Sequence, residues 1–276
     1  MPWRRQTNFV SNLVPNLVNC QAVHYPISDI MFSHEKLDVY KDILHFVAQA
    51  EDAVVDWDKK FCVADHLTRA AESIVLNLAY ACRERSLAAK HSSIDYSLGS
   101  VLESAACMDV ASVVGFFTCD EARKRKEDLV SVFRRLVRLR ESWGKQVIKE
   151  EGGMYSAGCG ESTPLFHHER LDVYRLSLQV FNELASVGLF ERLQVSMFRR
   201  VDQAATSIVL NIAEGNGRYA RLDHKRFLTI ANRSTTKLAA LADVCTAKGI
   251  WTFSDISRIK QTLRTIDRMT AGMLNC

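Results

Sequence analysis

The chain has 276 residues, one or two domains at a typical length of about 100–200 residues each. Hydrophobic residues make up 47% and charged residues 25%, with a net charge of +4; this excludes a largely disordered chain. No apolar run approaches the roughly 20 residues that a membrane-crossing helix needs, so no membrane partner is expected.

Near the N-terminus, Arg4 and Arg5 precede an apolar stretch that Asn12, Pro15 and Asn16 interrupt. Asn19, just before Cys20, fits a lipoprotein cleavage site poorly. Residues 1–33 therefore read as a flexible extension. The eight cysteines form no Cys-x-x-Cys pair, which points to small buried thiols in a reducing cytoplasm and not to metal ligation. Four prolines, Pro2, Pro15, Pro26 and Pro164, leave two long blocks without any. Proline removes a helical donor and clashes with the preceding turn, so such blocks suit helices.

The chain contains its fold twice. His34-Glu35-Lys36-Leu37-Asp38-Val39-Tyr40 recurs as His168-Glu169-Arg170-Leu171-Asp172-Val173-Tyr174, 134 residues later. Ala70-Ala71-Glu72-Ser73-Ile74-Val75-Leu76-Asn77 recurs as Ala204-Ala205-Thr206-Ser207-Ile208-Val209-Leu210-Asn211 at the same shift. Ungapped comparison of 34–141 with 168–275 gives 25 identities in 108 positions. This is a tandem duplication. The expected organisation is a first unit at 34–142, a linker at 143–167 and a second unit at 168–276. Five of the twelve glycines fall in the linker, which marks it as flexible.

Within each unit the apolar period is helical. The first helix should bury Leu37, Tyr40, Leu44 and Val47, matched by Leu171, Tyr174, Leu178, Phe181 and Ala185. A second carries Ala204, Ile208 and Ile212 and should end near Gly215 and Gly217 in a left-handed cap. A third runs from about Leu222 to Lys248 and stops at Gly249, which matches Gly115. A fourth starts at Ser254 as N-cap and buries Ile256, Ile259, Leu263 and Ile266, as Leu129, Val132, Phe133 and Leu136 do in the first unit. The fold class is all-α: two tandem antiparallel up-down four-helix bundles, each closing its own core.

Leu67-Thr68-Arg69-Ala70-Ala71-Glu72-Ser73-Ile74 and Ser207-Ile208-Val209-Leu210-Asn211-Ile212-Ala213-Glu214-Gly215-Asn216-Gly217-Arg218 resemble a known family. It comprises four-helix proteins encoded in intervening sequences of large-subunit ribosomal RNA, together with the accessory variability determinant of diversity-generating retroelements. Leu37-Asp38-Val39-Tyr40 and Leu171-Asp172-Val173-Tyr174 match its opening helix. The second unit alone keeps Asn211 to Gly215, where the first has Asn77-Leu78-Ala79-Tyr80-Ala81. The first alone keeps Gly99-Ser100 and Glu103, where the second has Arg233-Ser234 and Lys237. The resemblance implies a non-enzymatic bundle without cofactor that forms a homo-oligomer, in relatives a five-fold barrel. It also implies a basic surface for nucleic acid and a reverse transcriptase partner. Two units per chain cannot fill a ring of five without one left over, so that ring does not carry over directly.

Charge divides unevenly between the units. Residues 34–141 hold 16 Lys+Arg against 18 Asp+Glu, net −2; residues 168–275 hold 16 against 10, net +6. An excess of this sign suits phosphate backbones, whose neutralisation releases counterions. In the second unit the expected contacts to RNA or DNA are Arg199, Arg200, Arg218, Arg221, Lys225, Arg226 and the row Lys260, Arg264, Arg268. In the first they are Lys124, Arg125, Arg134, Arg135 and Arg138. No sequence-reading module accompanies them, so sequence preference should be weak. A solvated face, or a surface for a protein partner, is the plainer reading of the same charges.

Ser73, Asn77, Ser207 and Asn211 read as a structural motif that fixes helix register, with Glu214 at a helix end beside Gly215 and pairing with Arg218. Arg218 to His224 and Arg85 to His91 have the Arg-x4–6-His spacing of HEPN ribonucleases. The two are not repeat equivalents, since Arg218 aligns with Glu84 and His224 with Lys90. No glycine-rich phosphate loop, nucleophile constellation or metal-binding cluster stands out, and no catalytic residue is assigned.

Overall fold

The computed structural model describes residues 32–144 and 164–275, so the expected N-terminal extension and nearly all of the linker lie outside the described residues. Residues 33–276 form one compact body. Eight helices follow in order: α1 Asp38–Val54, α2 Val63–Arg83, α3 Leu87–Val113, α4 Cys119–Trp143, α5 Asp172–Ser186, α6 Val195–Asn216, α7 Arg221–Ala247 and α8 Phe253–Asn275. Short 3₁₀ turns at Ser33–Lys36 and His167–Arg170 precede α1 and α5, and the described residues contain no strand. Helices α1–α4 close one four-helix bundle and α5–α8 a second, neighbours packing in chain order and the first helix of each on the last.

Local structure repeats down to single hydrogen bonds. Gly115 and Gly249 both stop their helices at positive φ, 83° and 69°, a conformation glycine adopts without Cβ strain. The Phe116 N–H donates to the Ala111 carbonyl as the Ile250 N–H does to Cys245. At the start of α4, Thr118 and Glu121 form a reciprocal capping box, and Thr252 with Asp255 repeats it on α8. The cap of α8 is therefore Thr252 and not Ser254, because Asp255 stands where its carboxylate can return to the Thr252 N–H.

Two further expectations change. Along α1 the buried residues are Val39, Ile43, Phe46, Ala50 and Val54, while Leu44 is 43% exposed. Leu37, Tyr40 and Val47 only flank the core, so the apolar stripe is wide and its centre lies beside the predicted one. Gly215 and Gly217 do not end α6 in a left-handed turn; Gly217 caps it at φ −93°. They are small for another reason: a Cβ on Gly215 would meet Phe227, and one on Gly217 would meet Leu102 of the first repeat.

The bundles do not close separate cores. Helix α3 packs against α5 and α6, and one continuous apolar cluster runs through both repeats. Helices α3 and α7 are equivalent and each has 27 residues, yet α3 buries fourteen and α7 seven. The second repeat covers the side of α3 that α7 leaves to solvent.

Candidate nucleic-acid interface and the contact between the repeats

The predicted basic residues fall into two groups. Arg199 and Arg200 on α6, Arg221 and Arg226 on the first turns of α7, and Arg264 and Arg268 on α8 are exposed; Lys225 is half-buried. Lys260 is also half-buried and pairs with Asp243 across α7 and α8. Lys260, Arg264 and Arg268 line an open groove with Thr235, Thr236 and Ala239 of α7. Spacing of four residues puts the three cations on one side of α8. In the first repeat Lys124 and Arg138 are exposed and Arg134 half-buried. Arg125 lies over the Phe117 ring, 4.7 Å from its centroid, and Arg135 pairs with Asp42 at 2.6 Å.

Arg218 departs from the expectation. Its side chain is 3% exposed and pairs with Glu214, while its Nη1 donates to the Asp95 carbonyl of α3 at 2.9 Å. Its guanidinium lies between the Tyr96 and Phe227 rings, 4.8 Å from each centroid. Arg218 is thus a rivet between repeats and not part of a solvent-facing surface. Burial pushes the Glu214 carboxyl up to about 7 against the opposing pull of Arg218.

At this contact Gly99 of α3 in the first repeat lies against the Arg218 guanidinium, and Gly217 of the second repeat lies against Leu102.

A polar cluster lies further along α3. The Lys126 ammonium bridges Asp109 at 2.6 Å and Glu169 at 3.1 Å, and the Tyr174 hydroxyl donates to Asp109 at 2.8 Å. Burial disfavours the ammonium, but the Asp109 and Glu169 carboxylates outweigh it and raise its pKa. Burial first, then Asp109, drives the Tyr174 pKa well up. His168, fully buried between Phe166 and Tyr174, is held down to about 3 by burial first and by Lys126 next. Asp109, His168 and Glu169 bring ligand atoms within 4.8 Å of one another, but the Lys126 ammonium already supplies the cation between the two carboxylates.

Elsewhere at the contact, Asp202 of α6 is fully buried and accepts the Cys62 N–H at the start of α2, at 2.8 Å. Phe61 meets Phe190 and Phe198 edge to face, with centroids 5.6 and 5.0 Å apart. None of these residues stood out in the sequence, because each is ordinary until the repeats are docked.

The structural motif takes the same form in both repeats. Asn77 donates to the Ser73 carbonyl and hydroxyl, and Ser73 meets Ser100 of α3 at 2.7 Å. Asn211, Ser207 and Ser234 repeat this with 2.8 Å between the hydroxyls. The serines, not the asparagines, bridge the helices. The ribonuclease-like spacing at Arg218 and His224 is absorbed into packing: His224 Nδ1 lies 2.7 Å from the Gly215 carbonyl, to which its N–H donates.

This geometry defines a class: a tandem pair of four-helix bundles, fused through α3 of one repeat and α5–α6 of the next, with a basic outer groove on the second. The family model described as 23S rRNA-intervening sequence protein matches the chain twice, at residues 35–138 and 169–272, and the chain belongs to that family. Comparison with curated proteins and with solved structures gave no match. Among the described residues no helix is long and apolar enough to cross a membrane.

Proposed function

We propose that the protein is a non-enzymatic accessory factor that binds RNA or DNA through the second repeat. The observation that supports this most is the row Lys260, Arg264 and Arg268 along one open groove, on the repeat that carries the net +6. Arg264 and Arg268 are exposed there and can reach phosphate oxygens, which take charged donors readily. The cations of the groove carry no base-reading pattern, so recognition rests on charge and shape, and sequence preference is weak. A reverse transcriptase is the protein partner that the retroelement relatives add to this reading, and co-purification from a host carrying one tests it.

The nucleic-acid reading is tested by anisotropy titration of a fluorescent RNA and a DNA of arbitrary sequence over a salt series. Affinity should fall steeply with salt, and Arg264→Glu with Arg268→Glu should weaken it about tenfold or more while flattening the salt slope by about two. Affinity that does not change with salt, or a variant that binds as the parent does, contradicts the reading.

A further inference from the structure

Where α3 and α4 meet the start of the second repeat, one polar side chain has a place in the packing but no polar partner. His168 is fully buried, and neither of its ring nitrogens has a hydrogen-bond partner among the described residues. Buried polar atoms are nearly always paired, because leaving one unpaired costs its full desolvation penalty. The ring lies beside two carboxylates. One His168 nitrogen, one Asp109 oxygen and one Glu169 oxygen are all within 4.8 Å of one another.

The carboxylates are held as metal ligands are held. Asp109 turns Oδ1 to the Lys126 ammonium, while its Oδ2 accepts from the Tyr174 hydroxyl at 2.8 Å. Glu169 turns Oε1 to the same ammonium, while its Oε2 accepts from the Leu165 N–H at 2.9 Å. Each thus offers one oxygen to the centre and has the other tied back, the outer support that orients carboxylates around an ion. Nitrogen and oxygen ligands stand about 2.0–2.2 Å from zinc and so about 3.5 Å apart. The three atoms need to close by only about 1 Å.

Charge argues the same way. Lys126 sets one positive charge against two carboxylates whose side chains are only 16% and 14% exposed, which leaves the cluster at net −1. Uncompensated charge is costly where water is scarce. A divalent ion in place of the ammonium balances both carboxylates. Lys126 can give way, because its side chain reaches solvent at 10% exposure and carries the ammonium on a flexible four-carbon stem.

We infer that Asp109, His168 and Glu169 form a site for a divalent transition-metal ion, with Lys126 as a competing cation that withdraws when the ion enters. One imidazole with two carboxylates suits zinc. Asp109 comes from α3, and His168 and Glu169 from the turn before α5, so the bound ion ties the two repeats together. The inference is independent of nucleic-acid binding, and its test contains no nucleic acid.

The full chain, stripped of metal with a chelator at pH 8, is titrated with zinc chloride by isothermal titration calorimetry and melted with and without zinc. The wild type should bind zinc and melt at a higher temperature with it, since a ligand that binds only the folded state stabilises that state. His168→Phe should weaken binding about tenfold or more and lose the shift in melting temperature. Lys126→Met removes the competing ammonium, so zinc should bind it more tightly than the wild type and raise its melting temperature further. A wild type that ignores zinc would overturn the proposal. So would zinc uptake that His168→Phe leaves intact, which would place the ion at the cysteines or elsewhere, or a Lys126→Met that gains nothing over the wild type.

Discussion

Arg218 occupies the space that a side chain at position 99 would need. A Cβ on Gly99 would lie 2.6 Å from the Arg218 Cζ, while the guanidinium tip is anchored to Glu214 and to the Asp95 carbonyl. The arginine is long, but its end cannot move without losing those partners. Gly99→Ala should therefore destabilise the protein by about 1–3 kcal/mol through overpacking. In an Arg218→Ala background the same change should cost much less, and a double-mutant cycle by urea unfolding measures the coupling.

Glu214 sets a pH dependence that runs opposite to that of most carboxylates. Burial raises its pKa from 4.5 to about 7 in the folded state, so the folded state holds this proton more tightly than the unfolded one. The protonated form is favoured below 4.5, and stability falls as pH rises from there through 7. The loss amounts to at most about 3 kcal/mol. Subtracting the stability profile of Glu214→Gln from that of the wild type should isolate a decline between pH 4.5 and 7; a flat difference would contradict the assignment.

His168 acts in the other direction. Its folded pKa is about 3 against an ordinary 6.5, so only the unfolded state takes up the proton as pH drops below 6.5, and stability is lost on that side. At pH 5 the loss is about 2 kcal/mol. The ring nitrogens have no hydrogen-bond partner and the ring packs on Phe166 and Tyr174. His168→Phe should thus keep the fold at pH 8 and recover most of that loss at pH 5, as thermal unfolding at the two pH values will show.

Lys126 and Lys260 are equivalent in sequence and unequal in surroundings. Lys126→Met leaves the Asp109 and Glu169 carboxylates facing each other in a mostly buried site, at a cost of about 3 kcal/mol or more. Lys260→Met in a single chain loses one pair with the exposed Asp243 and should cost less than about 1 kcal/mol. Guanidinium unfolding of both variants at low protein concentration compares them. Equal costs would mean that the Lys126 cluster is not buried between the repeats.

Much of this was legible from residues whose role is local. Gly115 and Gly249 mark helix ends because positive φ is a property of the residue and its neighbours. One helical period dominates α6 and α8, so the spacing of their apolar residues identifies their buried faces. Leu44 lies outside the core although it is apolar, because α1 has apolar residues in two adjacent phases and only packing selects between them. Arg218 read as one more surface cation because its burial depends on Gly99 and Asp95, more than 100 positions away in sequence. Asp109, Lys126, His168 and Glu169 are individually unremarkable, and they form a site only after the repeats meet.

The repeats unfolding as one body is the claim on which the contact geometry depends. Trp57 is buried in the first repeat and Trp251 in the second, at 5% and 2% exposure. Urea unfolding should be followed by fluorescence in two variants, each retaining one of these tryptophans. Coincident transitions with one midpoint are predicted, because α3 cannot keep its buried side covered once the second repeat melts. Two separated midpoints would show that each bundle holds its own core, and would contradict the account.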